Sequence, residues 1–185
     1  MGYLNITNME FQEAGSRLED PFVLDVKFDC MKDLSNRVEW RLLFVANPDD
    51  ASQDQLLDSI EMAELEYGPK NFEWEVPAPD YRRLANPFDV FDTSVVMVVV
   101  LVDNFEFFRC SYLLSHEYET EELRENPPER IDWTALRRNL KTSNPVINVR
   151  EVAWEELKSA KDSALLGDDA KDPRSHAFDI MADNN

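Results

Sequence analysis

The stretch Phe22-Val23-Leu24-Asp25-Val26-Lys27-Phe28-Asp29-Cys30 decides the fold class. Phe22, Leu24, Val26, Phe28 and Cys30 alternate with Val23, Asp25, Lys27 and Asp29, the period of a strand with one face in a core and one in water. The period returns in Val38, Trp40, Leu42 and Phe44, and in Phe72, Trp74 and Val76 against Glu73 and Glu75. Ile60 and Met62 predict a strand between these two. Residues 93–103 are strongly β-branched, and a further strand follows over 105–115 after a tight Asp103-Asn104 turn. A last strand is expected over 144–154. Pro48, Pro69, Pro77, Pro79, Pro87 and the pair Pro127-Pro128 punctuate the connections. One helix is predicted behind Asp132, where Trp133, Leu136, Arg137 and Leu140 follow at helical spacing. Short helical turns are expected near 86–91 and 120–124. Many short strands with one or two short helices give an all-β fold, an immunoglobulin-like antiparallel β-sandwich, although the Cys-Trp-Cys pattern of antibody domains is absent.

A chain of 185 residues suits one domain with a tail. The core is expected over 1–154. Residues 155–185 hold few large apolar side chains and no periodic stripe, the composition of a flexible acidic tail in which Asp168, Asp169 and Asp172 add attraction for a basic partner. Lys and Arg number 19 against 38 Asp and Glu, a net charge of −19. Such a surface disfavours direct contact with nucleic acid or an anionic membrane and favours a cationic partner, or merely solubility. Cys30 and Cys110 lie far apart inside apolar strand patterns and read as buried thiols of a nuclear or cytosolic protein. No signal peptide is expected at Tyr3-Leu4-Asn5-Ile6, and the longest apolar run, 94–102, is far below the roughly 20 residues of a membrane helix. An enzyme is not expected. His116 and His176 are the only histidines, and no GxSxG, HExxH or Gly-rich phosphate loop exists. No cofactor and no metal are expected.

Between Arg41 and Lys70 no basic residue occurs, while Asp49, Asp50, Asp54, Asp58, Glu61, Glu64 and Glu66 do. The run is either a solvated face or a docking surface for basic side chains. Residues 93–103 are apolar on both faces. Val96, Val98, Val100 and Val102 fit a core, which leaves Thr93, Val95, Met97 and Val99 on the other side. On the next strand Arg109 and Leu113 alternate with Phe108, Cys110 and Tyr112. Either a loop or helix covers this second face, or an exposed Val95 beside Arg109 forms the apolar centre and charged rim of a protein interface.

A longer stretch carries a resemblance. Phe107-Phe108-Arg109-Cys110-Ser111-Tyr112-Leu113-Leu114-Ser115-His116-Glu117-Tyr118, then Glu122-Leu123-Arg124-Glu125-Asn126-Pro127-Pro128, Arg138-Asn139 and Ser143-Asn144-Pro145, resemble the signature of the anti-silencing-function histone chaperones. Pro21-Phe22, Asp33-Leu34-Ser35, Glu39-Trp40, Asp54-Gln55 and Leu57-Asp58-Ser59 support it, over roughly residues 21–154. The resemblance implies a monomeric nuclear protein, with a cytosolic pool, that binds the histone H3–H4 dimer and escorts it in nucleosome assembly and disassembly. It implies that a concave face takes the carboxy-terminal helix region of H3 through Val45, Asp49, Asp54, Asp89, Thr93, Val95, Arg109 and Leu113. A carboxy-terminal segment of H4 is implied as an added strand at Tyr112, Leu140, Pro145 and Ile147. Larger chromatin-assembly chaperones are a further implied partner, at Asn36, Arg37, Glu39 and Met62.

The chain departs from the family pattern at Leu113, where an aromatic is usual, and at Val146, where a basic residue is. It departs again at Asn36-Arg37, where relatives carry an acidic pair. The residues by themselves leave two rivals: a β-sandwich interaction module for an unrelated basic partner, and a calcium-dependent module, although calcium needs six to eight converging oxygens at spacings not seen here.

Overall fold

In the computed structural model, which describes residues 3–12, 16–154 and 157, the opening alternation becomes β3, Phe22–Cys30. Leu4–Phe11 and Ser16–Arg17 precede it as β1 and β2, and Val38–Val45 follows as β4. Gln55–Met62 is β5, Gly68–Val76 β6, Ser94–Val102 β7, Phe105–Tyr118 β8 and Leu136–Val149 β9. Antiparallel pairing assembles them into a three-stranded sheet, β1-β3-β6, and a six-stranded sheet, β2-β9-β8-β7-β4-β5. The fold is the expected all-β sandwich.

Strand parity builds the core. Leu24, Val26 and Phe28 from β3 meet Trp40, Leu42 and Phe44 from β4, Val96, Val98, Val100 and Val102 from β7, and Cys110, Tyr112 and Leu114 from β8. The Phe28 and Trp40 ring centroids stand 5.4 Å apart across the two sheets. Asp103 and Asn104 take φ of 46° and 71°, so the hairpin between β7 and β8 has both central residues in the left-handed region, which suits Asn and Asp. The turns near 86–91 and 120–124 form as Pro87–Phe91 and as α1, Glu121–Glu125, capped by Asn86 and Thr120.

The helix predicted behind Asp132 does not form. Asp132 does cap, accepting from the Thr134 backbone at 3.1 Å, but the turn lasts only Trp133–Ala135 before β9 begins. Leu136 and Leu140 satisfy strand parity as well as helical spacing. The strand wins because it also places Arg138 on the core side, where its guanidinium lies 3.9 Å from the Phe22 ring centroid and donates to the Asp20 and Pro21 carbonyls. The last strand therefore spans Leu136–Val149 rather than 144–154. Sequence reading also missed β1, because a bulge between Ile6 and Asn8 breaks its alternation. The tail expected over 155–185 lies outside the described residues except Leu157, which is buried in the main core. No described helix is long and apolar enough to cross a membrane.

Candidate functional site

The second face of β7 is where the sequence left two readings open. Cross-strand register puts Val45, Val95, Leu113 and Lys141 in one row over β4, β7, β8 and β9. Beside it run Leu56, Leu43, Met97, Ser111 and Val146, then Ser59, Arg41, Val99, Arg109 and Asn148. The outer face of the six-stranded sheet thus has an apolar upper half, with Leu43 and Leu113 packed on a small cluster of Val45, Val95, Met97, Val99 and Leu101. Val95 is not the exposed apolar centre of the second of those readings: its exposure is 0 %. Neighbours on both flanking strands close over a short side chain in mid-sheet, so Val45 and Val95 support the surface while Leu43, Leu56, Leu113 and Val146 present it. Leu56 escaped notice in the sequence because a bulge at Leu42/Leu43 shifts its register.

The lower half of the face is charged. Arg37 pairs with Glu39 at 2.9 Å and with Glu61 at 2.8 Å, and Arg41 holds Glu39 at 2.6 Å. Burial tends to raise the Glu39 pKa, but hydrogen bonds and charge from Arg41 and Arg37 outweigh it and hold the carboxyl below its ordinary range. Arg109 is 1 % exposed and bonds Glu106 through Nη2, while its Nε and Nη1 have no hydrogen-bond partner among the described residues. A buried guanidinium with donors to spare is costly unless a further acceptor arrives.

The acidic run does not form one face. Asp58 turns inward and accepts from the Trp74 indole at 2.8 Å, and Glu61 turns outward to Arg37. Asp49 and Asp54 lie in the connection between β4 and β5, and Asp89 in the Pro87–Phe91 turn, with Thr93 exposed just before β7. Thr93 and Leu113 share a hollow of about 470 Å³ with Ser115, Asn139, Lys141 and Ser143.

At the other margin β2 pairs β9 only at Arg137 and Arg138, so from Asn139 to Val149 the outer edge of β9 has no strand partner among the described residues. Ile147 and Val149 are exposed there by 56 % and 64 %, and Pro145 is half-buried. Tyr112 and Leu140 are buried behind this edge, with Tyr112 edge-on to Phe11 at 5.0 Å.

Of the residues read as the escort site, Asn36 is buried and bonds Asp103 across the mouth of the hairpin, so it presents nothing outward. Met62 sits half-buried opposite Val38 at the edge of β5. Among the described residues no group of three or more His, Cys, Asp or Glu side chains converges to hold a metal ion.

An apolar sheet face with an edge strand beside it is a surface on which protein can dock. Comparison with known proteins agrees: residues 1–155 match the model of the family described as ASF1 like histone chaperone. The chain belongs to that family. It is similar to a protein of Mycosarcoma maydis described as histone chaperone ASF1, 32 % identical over 163 residues, 88 % of this chain and 93 % of the relative. Histone chaperone asf1b of Xenopus tropicalis is 30 % identical over 178 residues, covering 96 % of this chain and 87 % of its own. Histone chaperone asf1 of Dictyostelium discoideum is 28 % identical over 154 residues, 83 % and 99 % of the two chains. Membership in the ASF1-like family makes this a histone chaperone.

Proposed function

We propose that this chain binds one histone H3–H4 dimer, covers the surface through which two dimers would join, and hands the dimer on in nucleosome assembly or recovers it on disassembly. The observation that carries this reading is the outer edge of β9, which beyond Arg138 has no strand partner among the described residues and along which Ile147 and Val149 are exposed, beside an apolar sheet face. An extended carboxy-terminal segment of H4 adds to that edge as a strand, with Tyr112 and Leu140 backing Pro145 and Ile147. An H3 helix lies on the outer face against Leu113 and the cluster over Val45 and Val95, its cations near Asp49, Asp54, Asp89 and Thr93 and a carboxylate near Arg109. Exposed charge pairs contribute only about 0–1 kcal/mol each, so the apolar contacts supply most of the affinity. No chemical step and no cofactor are involved, and the protein works as a nuclear monomer with a cytosolic pool.

The site for larger chromatin-assembly chaperones is retuned in this chain. A basic peptide seeking Glu39 finds that carboxylate already held by Arg37 and Arg41.

Sedimentation of the chain with recombinant H3–H4 tests the histone reading, with Ile147→Asp as the variant. Ile147 is exposed, so the substitution leaves the fold intact. A one-to-one complex with the dimer, weakened at least ~10-fold by the variant, is expected. Failure of the wild type to form any complex refutes the H3–H4 reading, and undiminished binding by Ile147→Asp removes the strand-addition edge from it.

A further inference from the structure

Residues 77–93 cross from the three-stranded sheet to the six-stranded one with only short turns at Tyr81–Arg83 and Pro87–Phe91. Something other than a strand ladder must hold this connection, because unsupported backbone of such length stays mobile. Tyr81, Leu84 and Val90 anchor it in the main core, and two buried glutamines fix its backbone. Gln55, at the start of β5, donates from Nε2 to the Asp80 carbonyl at 3.0 Å and accepts the Asp80 N–H on Oε1 at 2.8 Å. Gln53 accepts the Ala85 N–H at 3.1 Å and donates to Asp50 Oδ2 at 2.8 Å. Asp50 in turn caps the Ala51–Gln53 turn through the Ser52 backbone and hydroxyl, at 3.0 and 2.7 Å. Both amides use their oxygen and their nitrogen, as a buried amide must to avoid a large desolvation cost.

These bonds tie the two segments that bear the acidic residues of the proposed H3 surface. Asp49 and Asp54 flank the Ala51–Gln53 turn, and Asp89 lies four residues beyond Ala85 on the same connection. We infer that Gln53 and Gln55 are positioning residues that lock the two acidic segments into one rim, so that histone affinity depends on side chains that never touch the histone. The inference rests on the proposed H3–H4 reading and deepens it. Carboxylates fixed in advance lose less freedom on docking than carboxylates on two independent loops, and each gains from the placement of the others.

A double-mutant cycle on the full chain tests it by titrating wild type, Gln55→Leu, Asp89→Asn and the double variant with recombinant H3–H4. Leucine keeps most of the volume and makes neither hydrogen bond. Each single variant is expected to weaken binding about 4-fold, and the double variant to be within about 2-fold of either, because Asp89 contributes only while its segment is held. A purely structural role for Gln55 gives independent, multiplying losses. That outcome, or an unchanged affinity in Gln55→Leu, overturns the inference while leaving the wild-type complex and the histone reading standing. Absence of a wild-type complex overturns both. Should Gln55→Leu fail to fold, Gln53→Leu runs the same cycle. Amide exchange in the wild type then decides independently: protection of the Asp80 and Ala85 N–H groups supports the lock, and fast exchange at both overturns it.

Discussion

Acidification weakens this fold through one side chain in particular. His116 is buried on the core side of β8, its Nε2 2.9 Å from the Tyr81 hydroxyl and its ring edge-on to Tyr81 at 5.0 Å. Burial is the main cause that pushes the imidazole pKa down from 6.5 to about 4. The Val90 backbone opposes this only in part, and the nearby Arg138 charge adds to the lowering. A histidine whose folded pKa is depressed is more basic when unfolded, so its contribution is complete above pH 6.5 and is lost as pH falls toward 4. The gap corresponds to roughly 3 kcal/mol at the acid end, of which about 2 kcal/mol is already gone at pH 5. Urea denaturation of wild type and His116→Gln at pH 8, 6.5 and 5 measures it, because glutamine can bond Tyr81 without titrating. Carboxylates titrate in both proteins, so the difference between their curves isolates His116. The wild type is expected to lose about 2 kcal/mol more than the variant between pH 8 and pH 5. Parallel curves refute the reasoning.

Two further outcomes follow from the outer face. Val95→Arg sets a long cationic side chain under Leu43 and Leu113 on the outer face, from which its head can reach water, and is expected to cost about 1–2 kcal/mol in urea denaturation while abolishing the histone complex. A folded variant that still binds H3–H4 would remove this face from the histone site. Arg37→Glu removes the cation between Glu39 and Glu61 and is expected to strengthen binding of an Arg/Lys-rich peptide about 10-fold by isothermal titration. Equal affinities would show that Arg37 does not guard this site.

The parts of the site that could be read in advance are those whose chemistry is local. Arg109 and Leu113 share a face because alternation along one strand requires it, and the second apolar face of β7 follows from valine at successive positions. Leu56, Gln53 and Gln55 were not legible as site residues. Leu56 reaches the outer face only through a bulge, and the glutamines matter only because residues 80–85, distant in sequence, lie against them. Residues 133–140 read as a helix because Leu136 and Leu140 fit both periods, and only the contacts of Arg138 with the Phe22 ring and the Asp20 and Pro21 carbonyls, distant in sequence, favour the strand.

Alternation, the paired turn residues Asp103-Asn104 and the charge balance determined from the sequence alone that this is a strongly acidic antiparallel sandwich. These properties depend on side-chain period and composition, which neighbouring residues settle among themselves. Tertiary structure alone decided which apolar residues remain outside. Val95 and Ile147 are similar side chains on strands of one sheet, yet Val95 is enclosed by partners on both sides and Ile147 lies on an edge that nothing described covers. Exposure is set by strand order, and strand order depends on pairings between segments far apart in the chain.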